Sequence, residues 1–453
     1  MNILFVSLGC DKNLTDTEMM LGLLQKKGFT FTDEPEAADI AVVNTCCFIG
    51  DAKEESINTL LELANLRKTG KLKALIAAGC LAQRYGEEIQ EEIPEVDVLV
   101  GTMAIEEIVT AVEGALNGKT RHPYQQNHFR DLEVPPPVCR ERVLTTGGHF
   151  AYLKIAEGCD KHCTYCIIPK VRGSYRSIPM EALTAQAEKL AEQGVKELIL
   201  VAQETTLYGV DLYGEKSLPQ LLTKLAKIDG LCWIRLLYCY PEEITDELLQ
   251  VMWEEPKVCH YLDIPIQHAS DQVLKRMGRR TTQEELRQKI GRIREVIPDV
   301  CLRTALISGF PGETQEDFEE LYRFVNEMEF DRLGVFAYSQ EEDTPAAVMP
   351  EQIEDEVKEV RRAELMELQQ AIAFEKTEEA VGQVLYAMVE GKAADEDVYV
   401  ARTYRDAPEV DGYLFINTTA VLMTGDFVKV LVTDSNEYDL IGELADGSQS
   451  CMD

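Results

Sequence analysis

The sequence predicts a three-part α/β protein: an N-terminal open parallel α/β sheet, a partial TIM-like (β/α)6 barrel, and a small C-terminal all-β, OB-like barrel. Three observations carry this. Short apolar runs alternate with amphipathic stretches in two successive series; a proline- and glycine-rich stretch separates the series; and after about residue 378 the pattern changes to short β-rich runs cut by Gly and Asp turns. A chain of 453 residues is long enough for two or three such units, each with its own core.

The first unit, 1–122, has strand candidates at Ile3-Ser7, Ile40-Asn44, Ala74-Ala78 and Val96-Val100, with helical stretches between them. A linker, 123–148, follows, holding Pro123, Pro135, Pro136, Pro137 and the pair Gly147-Gly148. The second unit, 149–377, repeats strand and helix six times, at Tyr152-Ala156, Leu198-Ala202, Trp233-Tyr238, Tyr261-Pro265, Cys301-Ser308 and Arg332-Ala337. Six βα units leave a barrel open on one side, and a charged helix over about 351–377 closes the unit. The third unit, 378–446, carries the runs Val384-Val389, Tyr413-Asn417 and Phe427-Val432, enough for a five-stranded barrel.

Charge bounds the partners. With 80 acidic against 45 basic residues the net charge is -35, and 376–446 alone holds fifteen acids against five bases. Such a surface repels polyanions, so RNA binding is not expected, and neither is a membrane partner, since no apolar stretch approaches the roughly 18 residues of a span. The start lacks a basic n-region, and thirteen cysteines without a secretory signal point to the cytoplasm and to metal-bound or free thiols rather than a disulfide framework.

Chemistry concentrates in two sets of cysteines. Cys159, Cys163 and Cys166, spaced C-x3-C-x2-C, hold three corners of an iron-sulfur cube and leave one iron open, unlike an electron-transfer site closed by four cysteines. A zinc knuckle wants a second Cys or His pair at similar spacing, and His162 lies inside the loop, where ligation would strain it. Cys10, Cys46 and Cys80 each stand just after a strand candidate, at the carboxyl edge of an open parallel sheet, where they would converge on one metal centre. Cys47, Cys139, Cys232, Cys239, Cys259, Cys301 and Cys451 lack such placement and read as structural.

Taken together, these residues resemble the radical SAM methylthiotransferases, built from an N-terminal cluster domain, a radical SAM barrel and a C-terminal TRAM domain. The resemblance covers nearly the whole chain. It is closest to the branch that modifies a ribosomal protein, through Ser7-Leu-Gly-Cys-Asp-Lys-Asn13, Asn44-Thr-Cys-Cys-Phe-Ile49, Lys53-Glu-Glu-Ser-Ile57, Tyr261-Leu-Asp-Ile-Pro-Ile-Gln-His-Ala-Ser270, Gly309-Phe-Pro-Gly-Glu-Thr314 and, most discriminating, Asp406-Ala-Pro-Glu-Val-Asp-Gly412.

The resemblance implies two [4Fe-4S] clusters, one on Cys159, Cys163 and Cys166 that binds S-adenosyl-L-methionine and an auxiliary one on Cys10, Cys46 and Cys80. It implies that SAM donates a methyl group and also yields a radical, and that a methylthio group is added to the β-carbon of an aspartate in the twelfth small-subunit ribosomal protein. Tyr165 would lie near the adenine, Gln203, Glu204 and Thr205 near the SAM amino group, and Gly309 and Gly312 would let backbone approach the cofactor; no catalytic residue beyond the cluster ligands is indicated. Arg172 and Arg176 would contact SAM or a substrate carboxylate, or pair with surface acids. An electron donor such as flavodoxin or ferredoxin is implied as well. The alternatives are the MiaB type, which modifies an adenosine in transfer RNA, and an iron-sulfur electron carrier without radical chemistry, which would close its clusters with cysteine.

Overall fold

The computed structural model describes residues 1–116, 127–138, 141–394 and 397–445; Cys139, Cys451 and part of the linker lie outside them. The N-terminal strands β1 (Asn2–Ser7), β2 (Thr30–Thr32), β3 (Ile40–Thr45), β4 (Ala74–Gly79) and β5 (Val98–Val100) form a parallel sheet in the order β2-β1-β3-β4-β5. β3 and β4 are buried along their whole length, because helices cover both faces, and so they read as unbroken apolar runs. Helices α1 (Asp11–Lys26) and α5 (Ile108–Leu116) close one face, and α2 (Gly50–Lys68), α3 (Cys80–Arg84) and α4 (Gly86–Glu92) the other. The linker is stitched to this unit: His128 bridges Val100, and the buried Arg142 pairs with Glu18 of α1.

The middle unit contains β6 (Phe150–Lys154), the short pair β7 (Ala156–Glu157) and β8 (Arg176–Ser177), then β9 (Glu197–Val201), β10 (Trp233–Leu236), β11 (Val258–Asp263), β12 (Cys301–Ser308) and β13 (Arg332–Ala337). Six of these form one parallel sheet, β13-β12-β11-β10-β9-β6, the open (β/α)6 barrel expected. Its helices are α6 (Ile168–Arg172), α7 (Met180–Glu192), α8 (Val210–Tyr213), α9 (Leu218–Leu225), α10 (Asp246–Glu254), α11 (Asp271–Arg276), α12 (Gln283–Val296), α13 (Gln315–Met328) and α14 (Asp355–Glu378). No helix among the described residues is long and apolar enough to cross a membrane.

The C-terminal strands β14 (Val384–Lys392), β15 (Val398–Thr403), β16 (Leu414–Asn417), β17 (Phe427–Ser435) and β18 (Leu440–Leu444) close a barrel in the order β14-β15-β16-β18-β17. This barrel packs against the inner side of β6, β9, β10 and β11. Met388, Ala407 and Phe427 pack against Phe150, Tyr152, Ile199, Val201, Trp233 and Tyr261, with a buried ladder beside them in which Glu197 pairs with Arg235 at 2.7 Å and Arg402 at 2.8 Å. The run Asp406–Gly412 is the docking loop. Asp406 accepts from Thr403 Oγ1 at 2.8 Å and from Arg332 at 2.6 Å, and Asp411 accepts from Tyr261 OH at 2.7 Å and lies 3.4 Å from Arg303 Nε. Ten described cysteines are free thiols.

Candidate active site at the carboxyl edges of the two sheets

Cys10, Cys46 and Cys80 follow β1, β3 and β4, so three neighbouring parallel strands deliver them to one sheet edge. Asn13, wholly buried in the first turn of α1, ties their loops together. Its Nδ2 donates to Leu8 O and Thr45 O, both at 3.0 Å, and its Oδ1 lies 3.6 Å from Cys80 Sγ. Ser56 of α2 fixes Cys46 from the other side, its hydroxyl accepting from Cys46 N–H and donating to Cys46 O, each at 3.0 Å. Gly9 is needed where it stands, with φ +90° and a position at which a Cβ would come within 2.7 Å of Cys46 Cβ.

Cys159, Cys163 and Cys166 occupy the loop after β7, at the carboxyl edge of the barrel. Cys159 N–H donates to Gly173 O at 3.1 Å, Cys166 N–H to Cys163 O at 3.0 Å, and Thr164 N–H to Met277 O at 2.9 Å, so the loop is clamped on both sides. Gly158, at φ +80°, lies where a Cβ would sit 1.9 Å from Ser174 O. Tyr240 OH stands 3.4 Å from Cys163 Sγ, and Arg279 covers the Tyr240 ring at 4.1 Å. His162 points to solvent from a left-handed backbone and takes no part in the set.

The two edges meet. Tyr238, just beyond β10, donates its hydroxyl to Asp11 Oδ1 at 3.2 Å, and Lys12 Nζ stands 3.3 Å from its ring centroid, which brings the Cys10 loop to the mouth of the barrel. Arg172 spans the same seam, with Nη1 on Asp16 Oδ2 at 2.8 Å and Glu157 Oε2 at 3.1 Å. Burial alone would raise Glu157, but Arg172 and Lys154 hold it below the usual carboxylate range.

The donor sets fit iron-sulfur clusters. Each offers three soft sulfurs, the donors that iron-sulfur clusters take. Burial pushes the Cys159 thiol up to about 12 and raises Cys46, Cys80 and Cys166 as well. Such thiols stay protonated until a metal beside them supplies positive charge. Cys47 is also buried, pushed up to about 11, with its carbonyl held by Arg84 at 3.4 Å, so the neighbour of Cys46 serves packing.

The residues expected around SAM divide. Gln203 donates to Glu157 Oε1 at 2.8 Å and leaves its Oε1 buried without a partner; Glu204 accepts from Thr206 N–H at 2.9 Å and likewise leaves Oε2 unpartnered. Burial pushes Glu204 up to about 7. These two orphaned oxygens next to the cysteine loop suit an ammonium donor. Thr205 differs: it is fully buried and donates to Leu237 O at 2.8 Å, holding the end of β10. Tyr165 packs edge-on to Phe310, centroids 6.5 Å apart. Gly309 and Gly312 do make close backbone approaches, but to protein, since a Cβ would meet Lys358 at 2.3 Å and Arg276 at 2.1 Å respectively. Arg176 is spent on Val134 O and Arg172 O, at 2.9 and 2.6 Å, and Arg172 is buried, so neither has the surface pairing or open substrate contact considered from sequence.

Sequence reasoning missed the positioning roles of Asn13 and Ser56, although both lie inside the diagnostic runs Ser7–Asn13 and Lys53–Ile57. Tyr238, Tyr240 and Arg279 carried no signal by spacing.

Comparison with known proteins agrees domain by domain. The chain matches an uncharacterized protein family, UPF0004, over 2–101, the radical SAM superfamily over 153–325 and the TRAM domain over 381–445. In fold it resembles the radical S-adenosylmethionine methyltransferase TsrM from Kitasatospora setae, with TM-score 0.53 at 13% identity, covering 87% of this chain and 79% of that one. It also resembles the cobalamin-dependent S-adenosylmethionine radical enzyme OxsB, with TM-score 0.52 at 16% identity, covering 82% of this chain and 56% of that one. The ribosomal protein uS12 methylthiotransferase RimO of Clostridioides difficile is 48% identical, covering 98% of this chain and 99% of its own. Its counterpart in Lachnoclostridium phytofermentans is 60% identical over 98% of this chain and 99% of its own. With that identity over the full length and all three domains in order, the chain belongs to the RimO family of radical SAM methylthiotransferases.

Proposed function

We propose that this protein adds a methylthio group to the β-carbon of an aspartate in ribosomal protein uS12, with Cys159, Cys163 and Cys166 holding one [4Fe-4S] cluster and Cys10, Cys46 and Cys80 the auxiliary one. What supports this most is that both cysteine sets open on one seam, joined by Tyr238 to Asp11 and by Arg172 to Glu157. When bound, the clusters and SAM supply electron transfer, a carbon-centred radical and the methyl group. An unactivated C–H bond has no acidic proton for a general base to remove, so a radical route suits the substrate.

The chain's own residues then bind and orient. Glu204 and Gln203 direct their free oxygens toward the SAM ammonium, and binding favours the Glu204 carboxylate over its acid. Tyr165, against Phe310, lines the adenine side. Gly309 acts through α14 rather than through the cofactor. The working division is 1–122 for the auxiliary centre, 123–148 as linker, 149–377 for the radical SAM centre and 378–446 for substrate capture, in the cytoplasm, with a flavodoxin or ferredoxin as electron donor.

The transfer-RNA reading is the weaker one on charge. Of the five bases in 376–446, Arg402 is buried on Glu197 and Glu390, Arg405 and Lys376 face Asp331, and Lys392 faces Asp397. Little cation is left to grip phosphate, whereas an acidic domain suits a basic ribosomal protein. The test is an anaerobic reaction of the reconstituted enzyme with SAM, reductant, a sulfur source and a peptide of the aspartate-bearing uS12 loop, read by mass spectrometry. A methylthio increment on the aspartate is expected. SAM cleavage that leaves both the peptide and intact small subunits unmodified refutes the substrate.

A further inference from the structure

Arg172 is a fully buried guanidinium that belongs to one cysteine set by sequence and reaches the other in space. It ends α6, six residues beyond Cys166, yet its Nη2 lies 2.5 Å from Asn13 Oδ1 and 3.4 Å from Cys80 Sγ. Its Nη1 is shared by Asp16 of α1 and by Glu157, which sits two residues before Cys159. Lys154 of β6 closes the group, pairing with Asp16 and lying 2.8 Å from Glu157 Oε2. Two cations therefore face two carboxylates, all out of water, and the N–H directed at the Cys80 sulfur is in addition to that balance. The backbone that carries the side chain is held as well, Arg176 Nη2 donating to Arg172 O at 2.6 Å and Thr102 Oγ1 to Val171 O at 2.9 Å.

Resting on the proposed cluster assignment, we infer that Arg172 is a positioning residue that fixes Cys80 of the auxiliary set against Glu157 of the radical SAM loop and sets the reduction potential of the auxiliary cluster through its N–H on the Cys80 sulfur. Hydrogen bonds to cluster sulfurs and nearby positive charge stabilise the reduced state, so the potential is higher with Arg172 than without it. Lysine is no substitute. A single ammonium cannot serve Asp16, Glu157, Asn13 and Cys80 from one point, as a planar five-donor fork does.

The test is an electrochemical titration of the full-length, anaerobically reconstituted protein, with each cluster followed by EPR. Signals are assigned with proteins in which Cys159, Cys163 and Cys166, or Cys10, Cys46 and Cys80, are changed to Ala. Two variants are compared with wild type: Arg172→Lys, and Arg172→Gln paired with Asp16→Asn. Both keep the net charge of the buried group, so neither strands a carboxylate, and what they remove is the Nη2 donor shared by the Cys80 sulfur and Asn13 Oδ1, with iron content reporting any loss of the second. The expected result is a lower midpoint for the auxiliary cluster in both variants, with the other cluster unmoved and iron content as in wild type. An auxiliary midpoint unchanged at full iron content, or both midpoints moving together, overturns the inference. Wild-type protein that takes up no iron on Cys10, Cys46 and Cys80 overturns the cluster assignment itself, and the role of Arg172 with it.

Discussion

Replacing Asn13 by Ala tests whether one amide organises the auxiliary cysteines. The side chain makes two N–H bonds to buried carbonyls, Leu8 O and Thr45 O, and accepts from Arg172. Each neutral bond is worth about 1 kcal/mol net and the charged one roughly 1.5–3 kcal/mol, so the loss totals about 3–5 kcal/mol. At a urea m value of ~2 kcal/mol/M, the unfolding midpoint of the metal-free N-terminal unit falls by roughly 1.5–2.5 M. Asn13→Asp keeps the acceptor for Arg172 and loses both donors, so about 2 kcal/mol of loss is expected there. The assay pairs urea unfolding of the metal-free protein with iron content after reconstitution. Asn13→Ala should lose the iron held by Cys10, Cys46 and Cys80 and keep that held by Cys159, Cys163 and Cys166. An Asn13→Ala protein that unfolds like wild type and fills both sets with iron would refute the reasoning.

Changing Cys10, Cys46 and Cys80 together to Ala should halve the iron bound per chain, and changing Cys159, Cys163 and Cys166 together should remove the other half, by metal analysis. Asp411→Ala strips Tyr261 of its acceptor and Arg303 of one of two carboxylates, Asp263 at 3.0 Å remaining, so about 2–3 kcal/mol of docking is lost; limited proteolysis should then release the C-terminal barrel, and unchanged protection would contradict its role. Glu204 titrates near 7 when folded, because of burial, against about 4.5 unfolded. Between those values the unfolded carboxyl releases its proton first, so this group costs stability progressively as pH rises from about 4.5 to 7, by roughly 3 kcal/mol in all. Glu204→Gln should remove that slope from urea midpoints measured across the window, and SAM should release a proton on binding to wild type below pH 7.

The α/β order was legible because parallel strands buried on both faces, such as β3 and β4, leave unbroken apolar runs; β12 and β13, partly exposed on one face, still have the bounds that their runs suggest. β2, three partly exposed residues at a sheet edge, carries little signal, whereas β15, six residues opening with Val-Tyr-Val, has ordinary strand composition that sequence reasoning missed. The cysteines were legible by position, since following a strand is a local property. Arg172 was not. Its partners Asp16 and Asn13 lie more than 150 residues away, and no local pattern tells a guanidinium buried on carboxylates from one in solvent. The run Asp406–Gly412 was legible as a signature but not as a docking loop, because Tyr261, Arg303 and Arg332 come to it only through the fold.

The C-terminal barrel seals the inside of the open one with Met388, Ala407, Phe427 and the Glu197–Arg402 pair. Pulling it away would bare the inner apolar side chains of β6, β9, β10 and β11 and strand buried charges, so it is a rigid arm and not a tether. Any protein gripped by that arm is presented to the seam between the two cysteine sets at a fixed offset. Which side chain receives chemistry is then a matter of measured distance from the grip as much as of the sequence around it, as with a jig that drills one hole wherever the workpiece is clamped.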